Sequence, residues 1–408
     1  MAQQRILVVC QHFWPESFRL NDVCDYFVEQ GFAVDVLCGI PNYPKGKFYE
    51  NYTYVKNRKQ QHNGVNIRRV FEIPRGQNSN FGIFLNNISF SIASLFHIPR
   101  LLMKKYDRIF IYQLSPVMMA APGIIIGKLK KVPITMWVID PWPESLFSFL
   151  PINNQFLRKV ATVVSHWHYR HVDKLVLLSD RMRDKMIEIT HFDKSRVIML
   201  PQACEKLYEE QPKDPQLSKR FRGGFNITFA GVITPILSFQ TVVAAATTLH
   251  ERGYTDINWI IIGDGMAREW LETVVAKHKL SEHFFFEGFL PKEEIPRYTT
   301  NATDLLLSTL VKSDFLEATV PAKITSYFAA GKPIVLGMDG AAHDLINKVG
   351  CGFAGPAEDV SALADNIEKI YKMSKSERAI LGKKAHDYYY ENFERNIVMK
   401  KLLEFMYG

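Results

Sequence analysis

In "WVIDPWPESL" (137–146), Asp140 directly follows an apolar run and precedes Pro141, Trp142, Pro143 and Glu144. A carboxylate at the end of a buried strand suits acid/base work on a hydroxyl. Ordering its own loop is the ordinary alternative. A second stretch, "EATVPAKITSYFAAGKPIVLG" (317–337), offers complementary chemistry. Pro321 fits the start of a helix and Gly331 its end. The first-turn amides and positive dipole end of such a helix, with Lys323 close by, suit an anion such as a phosphate. A helix packed on a sheet with one solvated lysine would carry the same residues. "IIIGDG" ends in Gly263, Asp264 and Gly265, where missing side chains let backbone approach a ligand. A tight strand–helix turn explains it as well.

Other loops add less specific signals. "QHFWPESFRLNDV" follows the first apolar run without the glycines of a dinucleotide fold, and carries Arg19 and Asn21. "GIPNYPKGKFYENY" (39–52), with Asn42 and Tyr43, is rich in turn residues and aromatics that either pack on themselves or contact sugars. His166, His168 and His171 lie close together in "HWHYRH", but only the last two share a helical face, which reads as packing and surface rather than a metal site. No Ser/His/Asp series and no HExxH motif occurs.

These loops need elements to hold them. Short apolar runs such as "RILVVC", "AVDVLCG", "RIFIYQ", "PITMWVID" and "KLVLLS" alternate with helical patterns, which predicts a parallel sheet covered on both faces. The polar segment 202–224, holding two prolines, reads as a linker. After it the rhythm restarts with "FNITFAGVI", "INWIIIGDG", "FFFEGF", "DLLLSTL" and "PIVLGM". The prediction is an α/β chain of two doubly wound, Rossmann-like domains: 1–205, 206–385, and a C-terminal helix at 386–408 returning to the first. Ligands of such sheets sit at the carboxyl ends of the strands, here expected to face a cleft.

The chain of 408 residues is long for one core. Its net charge of +8 favours an acidic partner, and no arginine-rich run marks a nucleic-acid tail. Five cysteines without a CxxC pair fit reduced thiols, and the start reads directly into a strand without a leader. No uninterrupted apolar run reaches about 18 residues, so no spanning helix is expected. Segment 81–106, with Phe81, Phe84, Phe90 and Phe96 followed by Arg100, Lys104 and Lys105, is apolar and basic-ended. It suits either a core helix or one lying on an anionic membrane.

The two-domain pattern, "GDG" and "AAGKPIV" resemble the GT-B retaining glycosyltransferases of family 4. "HFWPESFRLNDV", "GIPNYPKGKFYENY" and "WVIDPWPESL" are similar to the WbuB-like and WcaI-like subgroup that builds bacterial surface polysaccharides. The resemblance covers nearly the whole chain. It implies transfer of an N-acetylated hexosamine or deoxyhexosamine from a UDP-linked donor to a polyprenyl-diphosphate-linked or saccharide acceptor. It also implies a cytoplasmic enzyme at the inner membrane face, with no metal or other cofactor. On this resemblance Asp140, Lys323 and Arg19 are the catalytic candidates. Donor contacts fall at Gly231, Gly263, Asp264, Gly265, Phe289, Glu317, Thr319, Val320, Lys323 and Ser326. Acceptor contacts fall at Asn21, Asn42, Tyr43, Trp142 and Glu144.

The chain departs from the family at the donor site. The usual Glu-x7-Glu positions hold Ala318 and Ser326, with Glu317 one place early. Ile233-Thr234-Pro235-Ile236-Leu237 carries no base where the family often has Arg and Lys. Phe18-Arg19 replaces a Gly-Gly, and Ile139 stands where a His often precedes the Asp. Two other functions share this architecture or composition: a UDP-sugar 2-epimerase and a non-catalytic partner of a glycan-assembly complex.

Overall fold

Buried apolar runs become the strands of two parallel sheets, because a strand covered on both faces must be apolar on both. The computed structural model describes residues 3–76, 80–149, 153–204, 206–208, 211, 214–221 and 223–408. In the first half the strands are β1 (Arg5–Val9), β2 (Ala33–Cys38), β3 (Lys59–His62), β4 (Val65–Arg69), β5 (Arg108–Gln113), β6 (Ile134–Val138), β7 (Lys174–Leu177) and β8 (Val197–Met199). They lie in the order β3-β4-β2-β1-β5-β6-β7-β8. In the second half they are β9 (Phe225–Ala230), β10 (Ile257–Ile262), β11 (Phe284–Gly288), β12 (Leu305–Thr309), β13 (Ile334–Gly337) and β14 (Gly352–Gly355). Their order is β11-β10-β9-β12-β13-β14. Only the β3–β4 pair, among the described residues, is antiparallel.

Strand order decides where a ligand can sit. β1 has β2 on one side and β5 on the other, so the chain reverses its winding at β1/β5. The same reversal occurs at β9, between β10 and β12. At each reversal the neighbouring loops diverge and leave a crevice at the carboxyl ends.

The first unit comprises 1–200 and 399–408, and the second 201–398. The divisions fall at 200/201 and 398/399 rather than at 205/206 and 385/386. The helix Lys375–Asn392 therefore stays with the second unit, where the backbone of Gly382 lies against that of Gly331. The last helix, Arg395–Tyr407, reaches the first unit through Tyr407, whose ring lies under Arg108 and against Phe32. The polar 202–224 stretch is more than a linker, since Leu217 and Phe221 are buried in the second core. Its residues 205, 209–210, 212–213 and 222 lie outside the described residues.

The helix expected from Pro321 runs Ala322–Ala330, with Pro321 as its N-cap and Gly331 left-handed at its end (φ +65°). Gly331 thus supplies the conformation that closes a helix cheaply. The single long helix expected after Phe81 is two, Asn80–Leu95 and Ile98–Leu102, with Pro99 inside the second.

Candidate functional site

In the second unit, three loops at the carboxyl ends of β9, β10 and β11 are knit by backbone hydrogen bonds. Gly231 N–H donates to Ile262 O (2.9 Å), Ile233 N–H to Asp264 O (2.9 Å) and Gly263 N–H to Gly288 O (2.8 Å). This closeness explains the glycines. A Cβ on Gly263 would overlap the Gly231 carbonyl oxygen, and its φ of +133° disfavours any side chain. Gly263→Ala is therefore expected to cost about 1–3 kcal/mol from backbone strain alone, seen as a lower melting temperature. An unchanged melting curve would show that these loops have slack.

Lys323 is brought to this braid by the first turn of its helix. A Cβ on Gly231 would lie 2.8 Å from Lys323 Nζ, and Nζ sits 3.9 Å from the centre of the Phe229 ring. Among the described residues its ammonium has no hydrogen-bond or ion-pair partner. Burial brings Lys323 down to about 7. A partly buried ammonium held on an aromatic face, with no carboxylate to neutralise it, is built to meet an anion.

The other expected donor residues divide. Gly265 N–H bonds the Asp264 carboxylate (2.7 Å), so Asp264 shapes its own turn. The backbone of Gly340 lies against that of Glu317, which fixes the loop ahead of Pro321. Thr319 spends its hydroxyl on Leu316 O (2.9 Å), and Val320 stands between that turn and the N-cap. Ser326 is buried one turn beyond Lys323. Phe289 is an exposed ring at the end of β11.

Arg268 carries no motif that marks it in the sequence. Its guanidinium lies against Gly288 and pairs with Glu272 (2.8 Å) and, more distantly, Asp264 (3.8 Å). It places a base beside the glycine turn, on the helix after β10, in a chain whose 233–237 loop carries none. A groove of 1090 Å³ lies at the other end of this sheet, lined by Phe225, Asp304, Lys332 and Arg378. It touches the amino ends of the strands and none of the glycine loops.

In the first unit, Asp140 follows β6 and is half-buried. Its carboxylate accepts from Ser115 N–H (3.1 Å), and its carbonyl from Gln113 Nε2 (2.8 Å). Burial pushes the carboxyl above its usual range; the Ser115 hydrogen bonds and the charge of Arg75 oppose this. Trp142 joins the group, its indole N–H donating to Ser115 Oγ (3.0 Å) and its backbone N–H to Tyr169 Oη (2.8 Å).

Beside it lies a buried polar network that the sequence did not reveal. Glu16 accepts from the backbone N–H groups of Asn42 (2.7 Å) and Tyr43 (2.6 Å), and its other oxygen meets His12 Nδ1 (2.9 Å). His12 Nε2 faces Arg75 Nη2 (2.9 Å), and Arg75 lies over the Tyr43 ring. Burial, reinforced by the charge of Glu16, pushes the Glu72 carboxyl well above the usual range. Glu72 accepts from Gln11 (3.2 Å) and Asn42 (2.9 Å).

Two expected acceptor residues have partners within the protein itself. Asn42 is fully buried with its amide engaged by Ile40 O and Glu72. Asn21 accepts from Trp14 N–H (3.0 Å) and donates to Glu16 O (2.7 Å). Both hold the loops that a ligand would meet. Arg19 and Glu144 open the helices Arg19–Glu29 and Glu144–Phe149. His168 is packed, with Nδ1 on Val164 O (2.7 Å), and no metal-binding cluster of three side chains occurs among the described residues.

Residues 17–203 match the family model of the glycosyl transferase 4-like domain, and 210–388 that of glycosyl transferases group 1. The chain is similar to the 2-deoxystreptamine glucosyltransferase of Streptomyces kanamyceticus, at 27% identity over 61% of this chain and 64% of that one. It is also similar to the putative colanic acid biosynthesis glycosyl transferase WcaI of Escherichia coli K12, at 21% identity over 99% and 100%. The fold resembles that of Anabaena HepE, solved in complex with UDP and glucose, with a TM-score of 0.71 and 15% identity over 98% and 99% of the two chains.

Proposed function

We propose a function that proceeds from family membership: the chain belongs to the group 1 glycosyl transferases with a 4-like N-terminal domain, of GT-B fold. It moves an N-acetylated hexosamine or deoxyhexosamine from a UDP-linked donor, with retention, to a lipid-linked or saccharide acceptor of a bacterial surface polysaccharide. The observation that carries this reading is the ammonium of Lys323, unpaired among the described residues, against Gly231 and the Phe229 ring. UDP in the HepE complex supports the donor class, and WcaI the polysaccharide context.

The chemistry follows from charge. As the anomeric C–O bond breaks, the leaving diphosphate gains negative charge that a preorganised cation stabilises. In this reading Lys323 and the first-turn amides of its helix meet that charge, with Arg268 as a further base. The acceptor oxygen then bonds the same face of the anomeric carbon, its proton passing to the leaving phosphate. Asp140, with Trp142, Tyr43 and Glu144, orients the acceptor hydroxyl.

A partner without turnover is the second reading, favoured by Ala318, Ser326 and the base-free 233–237 loop. Steady-state release of UDP from UDP-sugars, with and without polyprenyl-diphosphate saccharide, decides among them. Release that requires acceptor supports the transferase. Conversion of donor to an epimer without acceptor, or no turnover of any nucleotide-sugar, rejects it.

Segment 81–106 supports a peripheral membrane role. Phe81 and Phe96 are 70% and 80% exposed, and Phe84 is exposed beside them. Phe90, by contrast, is core. Lys104 is tied to the buried carboxylate of Asp35 (2.7 Å), so reversing its charge would damage the fold. Arg100 and Lys105 are exposed bases outside that ion pair. Arg100→Glu with Lys105→Glu is expected to weaken binding to anionic vesicles by about 1 kcal/mol per base, an effect that salt erases. Equal sedimentation of variant and parent with vesicles at low salt would refute it.

A further inference from the structure

The helix Gln155–Arg170 buries Ser165, His168 and Tyr169 and turns its opposite side outward. Along that outer side Phe156, Val160, Val163 and Trp167 follow one another at the i, i+4, i+7, i+11 spacing of a single helical stripe. All four are exposed, Phe156 by 71% and Val163 by 60%. A soluble surface helix is ordinarily polar on this side. From Phe156 to Trp167 the stripe spans about 17 Å at 1.5 Å per residue.

Charge decides what could cover it. The sixteen residues include Arg158, Lys159 and Arg170 and no aspartate or glutamate. At 100° per residue, Lys159 and Arg170 fall along one border of the stripe. A second copy of the chain would bring bases against bases with no acid in either helix to pair them. An anionic bilayer supplies the opposite charge, an apolar interior for the stripe, and a headgroup layer suited to an indole.

We infer that the outer stripe of Gln155–Arg170 inserts into the surface of an anionic lipid bilayer, as a contact separate from segment 81–106. This deepens the membrane-linked reading of the function, on which its biological purpose rests. The opposite face of the same helix carries Tyr169, whose hydroxyl accepts from the backbone N–H of Trp142, two residues after Asp140. A bilayer gripped by one face thus lies one helix thickness from the loop that carries Asp140, where a lipid-linked hydroxyl would have to arrive.

The test uses the full chain with vesicles of equal parts phosphatidylcholine and phosphatidylglycerol. Phe156→Asp with Val163→Asp, both exposed positions, is expected to lower vesicle partitioning about tenfold or more while leaving turnover of a water-soluble acceptor unchanged. In the parent chain, lipids brominated in the upper acyl chain are expected to quench tryptophan fluorescence, and Trp167→Phe to remove most of that quenching. Unchanged partitioning of the double variant, or quenching that survives Trp167→Phe, overturns the inference. So does a dimer, seen by sedimentation, that the double variant dissolves while vesicle binding persists. A chain that binds vesicles through the stripe yet turns over no nucleotide-sugar leaves this inference standing and removes the transferase reading instead.

Discussion

Asp140→Asn is expected to cut turnover by a factor on the order of 100 or more, the scale of a lost acid/base or acceptor-orienting group, with the melting temperature unchanged or raised. The reason is that this carboxylate is held at a cost. Burial raises its titration above the ordinary value, so between those two values the folded state keeps a proton that the unfolded chain has lost. Stability therefore falls as pH rises through that window, and the full penalty is present above it. Asparagine removes the buried charge and keeps an oxygen for Ser115 N–H. The stability advantage of the variant should be visible at neutral pH and shrink on acidification. A melting loss in proportion to the activity loss would assign Asp140 to loop structure and not to chemistry.

Lys323→Ala is the second large effect. Losing a charge-assisted contact to the diphosphate costs about 1.5–3 kcal/mol, roughly 10- to 150-fold in affinity for UDP and UDP-sugar alike. Its titration supplies a signature that a purely structural lysine would not give. Folded Lys323 titrates at about 7 because burial disfavours the ammonium. Between that value and the ordinary lysine range the unfolded chain holds a proton the folded chain lacks, so stability rises with pH across this window. Diphosphate binding reverses the preference and must take up a proton. Titration calorimetry at pH 8 in buffers of different ionisation enthalpy should show uptake approaching one proton for the parent and almost none for the variant. Equal affinity and equal uptake in the two proteins would remove Lys323 from the donor site.

Much of this was legible in the residues themselves. Periods and caps are local properties, so the apolar runs gave strands, and Pro321 and Gly331 bounded their helix as read. The alternation of strands with helices required parallel sheets, and parallel sheets put every loop of interest at carboxyl ends. The strands missed, β3 and β14, are a polar "KQQH" at an edge and a "GFAG" with two glycines, neither of which carries an apolar pattern.

What the sequence could not decide is which side chains have partners, because partners come from distant positions. His12 and Arg75 meet across 63 residues of chain, and Lys104 finds Asp35 across 69. No periodicity separates Lys104, which is neutralised, from Lys323, which is not. Asn42 sits in a turn-rich loop, and only the fold brings it Glu72 as a partner across 30 residues. Phe90 and Phe81 belong to one helix pattern, yet packing buries the first and exposes the second. The composition of a segment sets which groups are present and how they repeat. Only the packing of one element on another fixes which of those groups lose water, gain a counter-charge, or are left facing a ligand.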